Sequence, residues 1–264
     1  MEKNKNYFQL KNVYFKINII ILYFFLIFIL KDLKSKNSNY IFPNNIDCTL
    51  VNNKLKNRTQ PFEYENELIF FTELISCKIP FSFIRFADGE NSIMKGTNIS
   101  SPDQWHWNPK NQKIQKSLIE SSSICTNNNN FIGIPCQDWY GVSKSILSFS
   151  NCTSSKFMSY SILFTDKNYF IFKEWMQRYI KTSLPKRWKI ILVANSIINR
   201  NIKWAYKFYP VPDHLVENWD NYSKSLLSKL SYHAKENNFI FFISAGPAAN
   251  VIISYLIKIN NNNN

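Results

Sequence analysis

Glycine is scarce in this chain, five in 264 residues. No G-x-x-x-x-G-K-[ST] loop can be assembled from them, and neither H-E-x-x-H nor G-x-S-x-G occurs. P-loop kinase-like, zincin and serine-hydrolase chemistries therefore lack their central residues. Cysteine is also sparse: Cys48, Cys77, Cys125, Cys136 and Cys152 are odd in number and contain no C-x-x-C. That spacing indicates neither a zinc site nor a disulfide framework. The formal net charge is +14, but the lysines are scattered, with no arginine-rich block and no recognition-helix pattern. An anionic membrane surface or an anionic small molecule would draw on that charge as well as a nucleic acid would, so the charge does not choose among them.

The chain is 45% hydrophobic and 16% aromatic, ample for one domain of about 200 residues plus an appendage. Asparagine tracts at Asn127–Asn130 and Asn260–Asn264 read as a loop and a frayed tail. Near the N-terminus, Ile17–Leu30 is an almost unbroken run of Ile, Leu, Phe and Tyr, interrupted by Asn18 and flanked by lysines on both sides. As a helix it spans about 21 Å, extended by Tyr14, Phe15 and snorkelling lysines. Lys31–Lys36 offers no small-x-small cleavage site, so the run predicts an uncleaved signal-anchor in a thin early-secretory membrane. Sequons at Asn57, Asn98, Asn151 and Asn221 are expected by chance in a chain this rich in Asn, Ser and Thr, and do not fix the compartment.

The expected organisation is residues 1–31 as cytosolic tail and transmembrane segment, 32–61 as a polar stem, 62–258 as the folded domain and 259–264 as a disordered asparagine tail. Within the domain, Glu63–Lys78 is a helix with Leu68, Phe71, Leu74 and Ile75 on one face, and Phe81–Phe86 is a buried strand. Pro109–Ser122 is a helix and Phe131–Pro135 a strand. Asp166–Lys181 is a helix with Asp166 as N-cap and Trp175 and Tyr179 inward. Lys189–Ala194 and Ala205–Val211 are strands, Trp219–Glu236 is an amphipathic helix with His233 on its surface, and Phe239–Ile243 is the last strand. Strands alternating with helices predict an α/β fold: a Rossmann-like, mostly parallel sheet with helices on both faces, preceded by the transmembrane helix.

Chemistry concentrates in Phe81-Ser-Phe-Ile-Arg-Phe-Ala-Asp-Gly-Glu90. Asp88 and Glu90 fall where the chain leaves a strand, with Gly89 between them allowing a tight or left-handed turn. Two carboxylates on one side of a divalent ion, the other side left open, would hold Mg²⁺ or Mn²⁺ beside a substrate diphosphate. Arg85, just before, has a fork suited to phosphate or to a carboxylate. An Asp-Gly pair after a strand also satisfies an ordinary turn, and these residues alone leave both readings open.

Arg-Phe-Ala-Asp-Gly-Glu resembles the R-F-G-D-G-E signature of GT-D-type glycosyltransferases, and Ser244-Ala-Gly-Pro-Ala-Ala-Asn-Val-Ile-Ile-Ser-Tyr-Leu256 resembles the same family's strand-to-helix segment. Lys189–Asn195 and Tyr209–Glu217 fall where that family has comparable pieces, so the likeness covers about residues 65–258. Ala87 stands where the family has Gly, which is tolerable in an extended backbone. The resemblance implies a metal-dependent transferase moving a sugar from a nucleotide-sugar, UDP-linked, to a hydroxyl of a glycan or glycoprotein. The implied cofactor is Mn²⁺ or Mg²⁺ on Asp88 and Glu90.

At the second motif, Gly246, Pro247 and Ala248 would admit a phosphate to the start of a helix, with Pro247 at its first position. The same small residues also suit plain helix-on-strand packing. Asp138 and Trp139 would contact donor or acceptor at another strand exit, and Trp105-His-Trp107 reads as a sugar-stacking platform or a packed loop. Asp213, His214 and Glu217 lie after a strand; Asp213 or Glu217 would act as general base on the acceptor hydroxyl, although Asp213 serves equally as a helix N-cap. No nucleic-acid partner is expected. With the anchor, the site would face the lumen of the Golgi or endoplasmic reticulum. Two alternatives stand beside it: a metal-dependent phosphohydrolase using the same acidic turn, or a non-catalytic basic binding protein tethered to a membrane.

Overall fold

The computed structural model describes residues 46–100, 106–126, 129–135, 140–152, 154–161, 169–213, 215–236 and 238–261, which belong to one compact unit, Phe42–Asn264. The apolar run Ile17–Leu30 lies outside the described residues; among those described, no helix is long and apolar enough to cross a membrane.

Folding begins earlier than the expected stem allows. Helix α1 (Cys48–Asn57) starts at Asp47, whose side chain accepts the N–H groups of Thr49 and Leu50. It buries Val51 and Leu55, one turn apart, and is tied by the Cys48–Cys77 disulfide to the end of α2 (Tyr64–Ser76). Residues 46–61 are therefore part of the folded domain rather than a stem. On α2 the four residues Leu68, Phe71, Leu74 and Ile75 are buried as the spacing required.

Strand β1 (Ser82–Arg85) leads through Phe86 and Ala87 into α3 (Asp88–Met94). A two-residue antiparallel ribbon follows, β2 (Ile99–Ser100) against β3 (His106–Trp107), then α4 (Gln112–Ser121). Next come β4 (Asn130–Ile134), α5 (Tyr140–Phe149) and β5 (Met158–Tyr160), of which α5 and β5 were not foreseen. Helix α6 (Tyr169–Glu174) runs on as a π-helical segment, Trp175–Ser183, that buries Trp175 and Tyr179; the expected N-cap Asp166 is outside the described residues. The chain ends with β6 (Lys189–Asn195), β7 (Lys207–Val211), α7 (Trp219–Ala234), β8 (Phe239–Ser244) and α8 (Ala248–Asn261). Asn260 and Asn261 belong to α8, so the expected disordered tail from 259 is helical at least to 261.

Two three-stranded sheets, β1-β4-β5 and β7-β6-β8, are parallel throughout. Side-chain alternation shows that the same two helical layers cover both. Ile84 and Ile132, with Ile191, Val193, Phe241 and Ile243, face the core shared with α3, α4, α7 and α8. Phe83 and Phe131, with Ile190, Ile240 and Phe242, face the core shared with α1, α2 and the π-helical segment. The second core is built largely of rings: Phe131 is met edge-on by Phe71 at 5.1 Å and by Phe70 at 6.2 Å. Gly133 is required where Phe83 crosses it, because a Cβ there would lie 2.6 Å from the ring. Helices cover both faces and the pairing is parallel as expected, but the one sheet expected is divided into two three-stranded sheets.

The cysteine reading is corrected. Cys48–Cys77 and Cys125–Cys152 form disulfides, with Cα atoms 5.4 and 5.8 Å apart. Partners 29 and 27 residues apart in sequence come together only through tertiary packing, which spacing rules do not capture.

Candidate active site

Parallel pairing brings the strand ends into register: Arg85 opposite Gly133, Ile134 opposite Tyr160, Asn195 opposite Val211, and Ala194 opposite Ser244. The carboxyl edges of open α/β sheets are where ligands bind. Both sequence motifs leave strands at these edges.

The first motif does not form the expected turn. Ala87 is extended (φ −141°, ψ −162°), as its substitution for Gly required, and Asp88 and Gly89 already belong to α3. Gly89 is thus helical, and its left-handed role is withdrawn. Asp88 is exposed in the first turn, where a negative charge complements the helix dipole. Glu90 is 9% exposed and turns back, its Oε2 accepting the Ala87 N–H at 2.9 Å. Burial raises the Glu90 carboxyl above the ordinary range; the backbone N–H groups and the Arg85 charge oppose that rise, and the neighbouring Asp88 adds to it. Glu90 is thereby half of a helix-capping arrangement.

Arg85 ends β1 with an exposed side chain whose Nε donates to the Ser161 carbonyl at 3.1 Å, just beyond β5. Its guanidinium thus lies along the strand edge instead of closing on Asp88 or Glu90.

The second motif is a strand-to-helix turn. Gly246 has φ +56°, a left-handed value that favours glycine, and a Cβ at that position would meet nothing within 4 Å. Ala245, Ala248 and Ala249 are buried against the core, while Gly246 is exposed. The packing and ligand readings of this motif therefore fall on different residues. Ala248 is the first helical residue, so Pro247 sits one position before the first, not at it. The first turn uses the Ala249 and Asn250 N–H groups on the Gly246 and Pro247 carbonyls.

One bond joins the two motifs. Asn250, on the first turn of α8 and 3% exposed, donates from Nδ2 to the Arg85 carbonyl at 2.7 Å. The last residue of the strand that leads into the acidic helix is thus fastened to the helix that follows the glycine turn, across 165 residues of sequence. Asn250 was not anticipated, although a lone amide in an otherwise apolar helix start was visible. Asn91, next to Glu90, was missed too: it is 7% exposed and its Oδ1 is buried without a hydrogen-bond partner. Three buried polar side chains, Glu90, Asn91 and Asn250, lie within two helix starts. Such a concentration costs desolvation and typifies functional edges rather than cores.

The other expected residues divide. Asp213 is exposed in the turn after β7 and does not cap a helix, since α7 starts at Trp219 with Asn218 in the cap position. Glu217 braces β3, its Oε1 accepting the His106 N–H at 2.7 Å. Trp107 is a core residue, 1% exposed, which removes it from any stacking platform. His233 is buried, not on the surface. Asp138, Trp139, Trp105 and His214 lie outside the described residues. Among those described, no group of three or more His, Cys, Asp or Glu side chains is placed to hold a metal.

No protein-family model and no curated protein matches the chain. Two solved structures align with 80% of it and 79% of their own length, each with a TM-score of 0.47. One, 17% identical, is described as "The highly conserved domain of unknown function 1792 has a distinct glycosyltransferase fold". The other, a selenomethionine-substituted structure of domain of unknown function 1792, is 16% identical. At that depth the likeness carries no argument about chemistry, which rests on the residues of this chain.

Proposed function

We propose that this chain is a metal-dependent glycosyltransferase that moves a sugar from a nucleotide-sugar, UDP-linked, to an acceptor hydroxyl. The observation that carries the reading is the Asn250–Arg85 bond, which brings an exposed glycine turn and an acidic helix start to one strand edge.

The donor set is oxygen only, which suits Mn²⁺ or Mg²⁺. Asp88 offers an exposed carboxylate, and Glu90 has its second oxygen beyond the one bonded to Ala87. A divalent ion held by Asp88 and Glu90 would supply positive charge against a leaving diphosphate. The protein's own contribution lies around it. Arg85 supplies a fixed positive charge at the strand end. Gly246 lets a phosphate approach the backbone, and the fourteen-residue α8 directs the positive end of its dipole toward the turn. These groups are in place before reaction, so they stabilise developing negative charge without reorganising. Asp213, whose carboxylate is exposed, would take the acceptor proton; one oxygen of the other candidate, Glu217, is engaged with His106. The two disulfides support an oxidising compartment, consistent with a site facing the secretory lumen on a membrane-anchored chain.

The test is a nucleotide-sugar panel with Mn²⁺, scored for nucleotide release and for glycosylated product. Wild type should release nucleotide with a matching acceptor product, and Asp88→Asn should lose about 10²–10³-fold in rate. Release without any acceptor product would instead favour the phosphohydrolase. No Mn²⁺-dependent difference with any donor would overturn the enzyme reading.

A further inference from the structure

Asn-x-Ser/Thr sequons say little in a chain rich in these residues, but their placement in the fold adds something the sequence does not hold. All four sequon asparagines are exposed. Asn57 is the last residue of α1, Asn98 lies between α3 and β2, Asn151 follows α5, and Asn221 is in the first turn of α7. They stand at four separate places, two on helices and two in loops, where a bulky hydrophilic glycan can be carried without displacing core. The two disulfides are an independent observation: bridges of this kind form and persist in oxidising compartments, where N-linked transfer also operates.

We propose that Asn57, Asn98, Asn151 and Asn221 are acceptors of N-linked glycans. In the transfer, a bond forms between the asparagine Nδ2 and the anomeric carbon of an oligosaccharide carried on a polyprenyl diphosphate. The bond from that carbon to the diphosphate oxygen breaks, the diphosphate leaves with the electron pair, and the amide gives up one proton. Sequons are read on the extended chain, so burial of Ser223 in the folded protein does not block Asn221. Asn151 differs from the others, because the middle residue of its sequon is Cys152, bonded to Cys125. Closing that bridge before transfer holds the sequon against the end of α4 and the turn after it. Occupancy at Asn151 is therefore partial, limited by disulfide formation.

This inference shares with the proposed function only the lumenal compartment and is independent of Asp88 chemistry, so the two can fail separately. The experiment is synthesis of the full chain in the presence of microsomes, followed by digestion with peptide N-glycosidase. The expected result is a ladder that collapses on digestion, with one rung lost in each of Asn57→Gln, Asn98→Gln and Asn221→Gln. The rung that depends on Asn151 should strengthen in Cys125→Ser, which leaves no bridge to compete. Because occupancy is set on the nascent chain, the readout survives a variant that folds poorly. Unchanged mobility of the full chain on digestion overturns the proposal, and an Asn151 occupancy indifferent to Cys125→Ser overturns its competition with the bridge.

Discussion

Among the described residues two glutamates, Glu67 and Glu90, are buried, and their surroundings are opposite in kind. Glu67 on α2 is matched from within: it forms an ion pair with Arg58 in which neither side chain is exposed, and its Oε2 accepts the Phe62 N–H at 2.9 Å. Arg58 in turn donates to the Lys156 and Met158 carbonyls, each at 2.7 Å, and its guanidinium lies 4.9 Å from the Phe131 ring centre. Of the guanidinium nitrogens, Nε alone is left without an acceptor. Glu90 has no such cation in contact among the described residues. Its neighbours are a backbone N–H, a second carboxylate two residues earlier, and an arginine whose Nε is turned to Ser161. One pair closes the N-terminal helix onto β5; the other sets two carboxylates at a strand edge with no basic side chain bonded to them among the described residues. Burial alone does not distinguish a structural acid from a working one. What separates them is whether the protein supplies the counter-charge.

The contrast breaks or holds by mutation. Arg58→Ala strands Glu67 without its partner and should cost about 3–5 kcal/mol of stability, read as a fall in the urea midpoint. Arg58→Met combined with Glu67→Leu should recover most of that loss, because two apolar side chains need no counter-charge. Glu90→Gln retains an acceptor for the Ala87 N–H, so stability should stay within about 1 kcal/mol of wild type while transfer activity collapses. If Glu90→Gln instead unfolds the protein as Arg58→Ala does, the two glutamates are alike and the functional reading of Glu90 fails.

Periodicity made the layers of this fold legible. Leu68, Phe71, Leu74 and Ile75 on α2, and the apolar run Lys189–Ala194, needed only side-chain spacing to be placed correctly. What escaped depended on partners distant in sequence. Helix α1 looked like linker because its composition is polar, yet Val51, Leu55, Arg58 and Cys48 each find a partner on another element. Asn130 sat in what seemed low-complexity filler, but it opens β4, is buried, and its side chain bonds Ser82 and the Ile124 carbonyl. At the candidate site, residue type and spacing singled out Asp88 and the glycine turn, and the structure sets both at strand exits. The capping role of Glu90 was hidden because the helix begins two residues before it. Asn250 was hidden because its function is a single bond to a carbonyl far away in sequence.

That bond sharpens the comparison on the active-site side. Asn250→Ala removes the donor to the Arg85 carbonyl and should cost about 1–3 kcal/mol, the price of leaving a buried acceptor unpaired. As a positioning residue, Asn250 should also raise the KM for the nucleotide-sugar more than it lowers kcat, since it fastens the glycine turn to the strand that carries Arg85. Asn250→Asp, which puts an acceptor opposite an acceptor, should be no better than Ala on either measure. An unchanged KM in a folded Asn250→Ala protein would detach the two motifs from each other.

A third buried titratable group supplies the smallest effect and a control on the other two. The His233 Nε2 lies 2.8 Å from the Tyr209 hydroxyl, and its Nδ1 is buried without a partner. Phe239 and Tyr232 flank the ring, at 4.8 and 5.3 Å. Burial lowers its pKa below the ordinary 6.5, the Lys207 and Lys189 charges push the same way, and Glu236 opposes them. Between the lowered folded value and 6.5 the unfolded chain binds more protons than the folded one, so stability rises with pH across that window. The contribution is complete above 6.5 and is lost as the pH falls toward the folded value. For one proton the slope cannot exceed about 1.4 kcal/mol per pH unit. Glu67 and Glu90, both raised by burial, slope the opposite way above the carboxylate range, so total stability mixes the signs. The difference between wild type and His233→Phe, followed by denaturation from about pH 5 to pH 8, isolates the histidine. That difference should narrow in favour of the variant as the pH drops. A difference flat in pH would mean that His233 titrates alike in both states, and that its buried Nδ1 is reached by solvent after all.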